Sequence, residues 1–101
     1  MGILGNLFGG SSQTVQQYLA EGALVIDVRT PGEFQGGHVA GSKNYPLQTL
    51  SGHTGELKKM NKKLVLCCAS GMRSGQATSM LKGEGIDCVN GGGWTKVNGL
   101  V

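Results

Sequence analysis

The sequence predicts a single α/β domain whose mainly parallel sheet is covered by helices on both sides. Three observations predict it. Strand-like apolar runs alternate with helix-like segments. Two of those runs, residues 23–28 and 64–68, are apolar at nearly every position, as strands buried on both faces are. A chain of 101 residues suits one domain, burying roughly two-thirds of its unfolded surface. Hydrophobic residues at 39% and charged residues at 15% supply a core and exclude a disordered chain. The 19 glycines follow no three-residue period, so they suggest tight turns and not collagen.

The elements follow in order. Residues 1–10 are read as a flexible N-terminal arm and 11–101 as the domain. Ser11 or Ser12 caps a helix bearing Val15, Tyr18 and Leu19, which Gly22 ends. Residues 23–28 form a strand broken only by Asp27. Thr30 caps a short helix with Pro31 at its first position, stopped by Gly36 and Gly37. Residues 42–45 form a short strand ended by Pro46. Residues 47–60 carry mixed helical periodicity interrupted by Gly52 and Gly55. Residues 64–68, Leu-Val-Leu-Cys-Cys, are the clearest strand. A helix runs from Ser74 to Leu81 or slightly beyond, residues 86–89 suit a strand, and Gly91-Gly-Gly-Trp94 reads as a turn.

Charge and cysteine content narrow the function. The net charge is +3, and its only cluster, Lys58, Lys59, Lys62 and Lys63, lacks interleaved aromatics, which argues against nucleic-acid binding. Those lysines are read as a solvated helix end, with steering of an anionic substrate as the alternative. Three cysteines make no disulfide framework and point to a reducing compartment. The first ten residues have neither the basic start nor the apolar length of a signal peptide or membrane span. A cytoplasmic protein is expected.

The chemistry concentrates at residues 68–74, Cys-Ala-Ser-Gly-Met-Arg-Ser. A strand end, a loop of mostly small residues and a helix start let successive N–H groups converge on one point, at the positive end of the helix dipole. A thiolate placed there has a lowered pKa. Arg73 adds a fork of donors suited to an oxyanion, so one loop provides a nucleophile and a place for its substrate.

This loop resembles the rhodanese active-site loop, a Cys, two residues, Gly, one residue, then Arg-Ser. Asp27-Val-Arg-Thr30, Glu33-Phe34, Gly37-His-Val39, Gly41-Ser42, Asn44 and Pro46 are similar to that family's amino-terminal signature, and Gly91-Gly-Gly-Trp94 to its closing segment. The resemblance covers about residues 12 to 97. It implies a five-stranded parallel sheet flanked by helices on both faces, and a thiosulfate sulfurtransferase that needs no metal or organic cofactor. Cys68 would be the nucleophile, an anionic small molecule such as thiosulfate the donor, and cyanide in vitro or a thiol or protein in vivo the acceptor. Ala69, Ser70, Gly71, Met72, Arg73 and Ser74 would hold the persulfide. Two departures from the family pattern concern packing: Gln76-Ala77 stands where two alanines are frequent, and Val97 replaces an aromatic.

Each of these residues also has a plainer reading. A lone Cys68 would suit a buried structural thiol, and the surrounding loop is what favours catalysis. Cys67, one position earlier on the strand, points to the other face and packs there; a disulfide with its neighbour would be strained. Asp27 and Arg29 share a face and are expected to pair in support of the site, while His38 is expected to bind backbone in a turn. Cys88 is read as structural, His53 as a surface residue and Trp94 as core or cleft wall. No Cys-x-x-Cys or similar ligand spacing suggests a metal. A phosphatase or arsenate reductase is the competing enzyme class, but four residues separate Cys68 from Arg73 where the cell-cycle phosphatases that share this likeness have five. A non-catalytic interaction module is the competing non-enzyme class.

Overall fold

A computed structural model of the chain describes residues 11–101; the expected arm at 1–10 lies outside them. Four strands form one parallel sheet in the order β2-β1-β3-β4, where β1 is Leu24–Asp27, β2 Lys43–Asn44, β3 Leu64–Cys68 and β4 Cys88–Gly93. The helices are α1 (Ser12–Ala20), α2 (Pro31–Gln35), α3 (Thr54–Met60), α4 (Met72–Gly83) and α5 (Trp94–Asn98), with a 3-10 helix at Leu47–His53.

The five strands implied by the family likeness are corrected to four among the described residues. Each of the four runs identified from residue character forms a strand, and no other described segment pairs with the sheet.

Side chains alternate across the strands and divide the core in two. Ile26, Leu64, Leu66 and Cys68 face one layer with Leu50, Leu57, Ala77 and Leu81. Val25, Val65 and Cys67 face the other with Val15, Val39 and Val97. That alternation sends the two adjacent cysteines to opposite sides of the sheet.

Local signals set the helix boundaries. Ser11 accepts from Thr14 N–H at the start of α1. Thr30 and Glu33 form a reciprocal capping box on α2,. Residues 47–60 divide into a 3-10 segment and α3 near the interrupting glycines. Helix α4 begins at Met72, two residues earlier than periodicity alone indicates.

The largest local difference from expectation is at Gly91-Gly-Gly. These residues continue β4 instead of turning away. A Cβ at Gly91 would stand 2.6 Å from Val97 Cγ2 and 2.8 Å from Val65 Cγ1, so close packing, not a turn, requires glycine there. A register shift opposite Leu66 and Cys67 is accommodated by Gly92 at φ +88°,.

The chain runs from β1 outward to β2, then returns to the other side of β1 with β3. Strand order therefore reverses between β1 and β3, and the crevice beyond their carboxyl ends is where sites form in such sheets. Asp27 ends β1 and Cys68 ends β3.

Candidate active site

Cys68 Sγ lies at the focus of the loop that follows β3. It accepts hydrogen bonds from Gly71 N–H at 3.0 Å, Ser74 N–H at 3.4 Å and Ser74 Oγ at 3.4 Å. Gly71 makes this curl possible by taking φ +103° at the cap of α4,. Burial works against a charged sulfur, but the Ser74 hydroxyl and the Ser74, Gly71 and Ser70 N–H groups outweigh it and draw the thiol below its ordinary pKa,. The N–H groups of Met72 and Arg73 belong to the first turn of α4, where the helix itself offers no acceptors. Ala69, Ser70 and Met72 are exposed, while Cys68 lies beneath them with 0% of its surface exposed.

The other two thiols have different surroundings. Burial pushes Cys67 up to about 12, with the Asp27 carboxylate adding to it, and pushes Cys88 up to about 11. Cys88 Sγ donates to the Thr78 carbonyl at 3.6 Å. Both remain protonated packing residues at neutral pH.

Asp27 and Arg29 pair as expected. Arg29 Nε contacts both Asp27 oxygens, at 2.9 and 3.0 Å, and Nη2 reaches Oδ2 at 2.7 Å. Nη2 also donates to the Gly37 carbonyl at 2.7 Å, and the guanidinium lies 4.9 Å from the Trp94 ring centroid,. Asn44 Nδ2 donates to the Asp27 and Arg29 carbonyls. This buried frame ties the ends of β1 and β2 to the loop at Gly37. His38 stands outside it: Nδ1 lies 2.8 Å from the Phe34 carbonyl and the imidazole stacks on the Phe34 ring.

Arg73 occupies the mouth of the site, but its fork is engaged by protein. Nη1 and Nη2 donate to Glu33 Oε1 and Oε2 at 2.8 and 3.0 Å. Nothing in the local sequence pairs Glu33, a residue of the motif that resembles the family's, with an arginine 40 positions away.

Asn90 was missed altogether. Buried on β4, it accepts from Ser74 Oγ at 2.6 Å and from Gly92 N–H at 2.9 Å through Oδ1, and donates from Nδ2 to the Gly71 carbonyl at 3.0 Å. It thereby ties the loop, the first turn of α4 and the β4 bulge together, with its amide satisfied throughout. The available signal was an amide inside an otherwise apolar strand segment.

Two of the cavities among the described residues lie at opposite ends of the sheet. The larger, about 460 Å³, lies at the amino ends of β3 and β4 among Lys58, Lys62, Lys63 and Asp87, away from Cys68. The smaller, about 210 Å³, lies at the carboxyl ends, where Val28, Pro46, Leu47 and Arg73 line it. Chemistry, not size, selects the second. Among the described residues no helix is long and apolar enough to cross a membrane.

Known proteins share this fold. A family model described as the rhodanese-like domain matches residues 11–99. The uncharacterized protein YqhL of Bacillus subtilis is 37% identical over 81 residues, covering 78% of this chain and 64% of YqhL. The thiosulfate sulfurtransferase GlpE of Ectopseudomonas mendocina is 32% identical over 79 residues, covering 75% and 69%. Among solved structures, a rhodanese-related protein from Thermoplasma volcanium superposes with a TM-score of 0.73 at 29% identity, over 86% of this chain and 85% of that one. The rhodanese-like domain protein from Staphylococcus aureus gives 0.70 at 27%, over 85% and 86%. With the family model matching residues 11–99 and the fold shared with solved rhodanese-like proteins, the chain belongs to the rhodanese-like domain family.

Proposed function

We propose that this protein is a sulfurtransferase that carries sulfane sulfur on Cys68. The observation that carries the reading is the convergence of Gly71 N–H, Ser74 N–H and Ser74 Oγ on Sγ. Such a cradle stabilises first the attacking thiolate and then the persulfide anion.

In the first half-reaction the Cys68 thiolate attacks the outer sulfur of a donor such as thiosulfate. The donor S–S bond breaks, sulfite leaves with the bonding pair, and Cys68 becomes a persulfide. In the second, an acceptor nucleophile attacks the outer sulfur, the bond to Sγ breaks, and the thiolate is restored. Cyanide leaves as thiocyanate, and a thiol leaves as its persulfide. No net oxidation occurs, and the hydrogen bonds to Sγ favour the thiolate that attacks,. Ser70, Gly71 and Ser74 would hold the sulfur, with the N–H groups of Ala69, Met72 and Arg73 available to the outer atom. The Asp27–Arg29 frame supports the loop, and His38 braces its neighbouring turn.

The test is intact-mass spectrometry after incubation with excess thiosulfate, followed by cyanide. The expected result is a gain of one sulfur atom located at Cys68, lost as thiocyanate, and absent in Cys68→Ser with its fold retained. A wild-type chain that gains no sulfur, or gains it equally in Cys68→Ser, would exclude the reading.

A further inference from the structure

Arg73 is clamped at the mouth of the site. Its two-point pairing with Glu33 spends the outer guanidinium fork on one carboxylate,. Glu33 is fixed in turn from the other side, where Thr30 N–H and Oγ both donate to Oε1, at 3.0 and 3.2 Å, and Thr30 Oγ accepts from Glu33 N–H. Hydrogen bonds from Arg73 and Thr30 hold the Glu33 carboxyl down at about 2, so the pair is electrically neutral at working pH. The chain's only other arginine, Arg29, is buried and committed to Asp27 and Gly37. Beside Arg73 opens the cavity of about 210 Å³, whose wall includes Val28, Pro46 and Leu47.

A donor must approach the Cys68 thiolate, so its own negative charge repels the nucleophile, and a dianion is repelled about twice as strongly as a monoanion. An open guanidinium would offset this, but here Glu33 has already neutralised it. We infer that Glu33 is a specificity-determining residue. By neutralising Arg73 it makes the site prefer a singly charged sulfane donor on a small apolar carrier, of the thiosulfonate class, over dianionic thiosulfate. This rests on the sulfur-transfer reading and deepens it. The chemical step balances as before: the thiolate attacks the outer sulfur of R–SO2–S⁻, the S–S bond breaks, a sulfinate leaves with the bonding pair, and Cys68 holds the persulfide. The apolar carrier group occupies the cavity at Val28, Pro46 and Leu47.

The experiment compares kcat/KM for methanethiosulfonate anion and for thiosulfate, with cyanide as common acceptor, in wild type, Glu33→Gln and Arg73→Gln. Wild type should favour the thiosulfonate. Glu33→Gln keeps a side chain able to complete the capping box and unmasks the arginine. The preference should then fall by about three- to tenfold, a range reduced by the pair's partial exposure, and KM for thiosulfate should rise with added salt. Arg73→Gln leaves the Glu33 charge uncompensated and should move the preference the other way. A merely structural pair would impair both donors alike and leave their ratio unchanged. The inference is overturned if wild type favours thiosulfate, or if the two variants fail to shift the ratio in opposite directions. Absence of persulfide from either donor would remove the sulfur-transfer reading itself, and this inference with it.

Discussion

Ser74→Ala removes one O–H donor from the thiolate cradle and leaves its backbone donors in place. The hydroxyl lies 3.4 Å from Cys68 Sγ and 2.6 Å from Asn90 Oδ1, and it has a single proton to give. A full hydrogen bond to a charged acceptor contributes about 1.5–3 kcal/mol, and one pH unit corresponds to about 1.36 kcal/mol. Sharing with Asn90 and the long contact place this bond at the low end, so the variant should raise the Cys68 pKa and, at pH below the midpoint, lower the thiolate fraction about tenfold. The assay is the rate of alkylation of Cys68 by neutral iodoacetamide, followed by peptide mapping across pH. The midpoint is the proper readout, because a change of pKa also alters intrinsic nucleophilicity. An unmoved midpoint would refute the reasoning: the proton would then reside on Asn90, and Gly71 and Ser74 N–H alone would poise the thiolate.

Three other outcomes are expected. Cys67→Ala should still form the persulfide, since Cys67 packs on the opposite face of the sheet with Val15 and Val97; loss of sulfur uptake in a folded Cys67→Ala would contradict the assignment of faces. Gly91→Ala should lower stability by about 1–3 kcal/mol in urea unfolding, because its new methyl meets Val97 and Val65 at under 3 Å and Leu66 O at 3.1 Å; an unchanged midpoint would show that β4 can shift freely. Stability should also fall as pH rises above about 8.5, where thiols of the unfolded chain ionise. The raised pKa values of Cys67 and Cys88, about 12 and about 11, keep these thiols protonated in the fold, so the unfolded state then binds fewer protons. Cys68 has the opposite sign, and a Cys67→Ala/Cys88→Ala variant should show a shallower alkaline decline over pH 9–10 in thermal melts, the remainder coming from Tyr18 and Tyr45, each raised to about 12,.

Features encoded within a few residues were legible in the sequence. Consecutive apolar residues identify the two central strands, β1 and β3, because a strand covered on both faces has no polar side to show,. Period-two alternation separates Cys67 from Cys68. Thr30 caps its own helix with Pro31 at the first position, and the Cys68 loop holds its own backbone donors within six residues. Tertiary structure alone decided what depends on distant partners. The Arg73 fork meets Glu33 only when α2 and α4 arrive at the same end of the sheet. Asn90 becomes part of the cradle only because the bulge in β4 brings it beside Ser74 and Gly71. Gly91 appears from its neighbours to belong to a turn, yet it lies in a strand because Val65 and Val97 leave no room for a side chain. Short-range rules assign a residue its local conformation and face. Which charges cancel, and which buried polar atoms find each other, is settled when segments far apart in the chain are packed together.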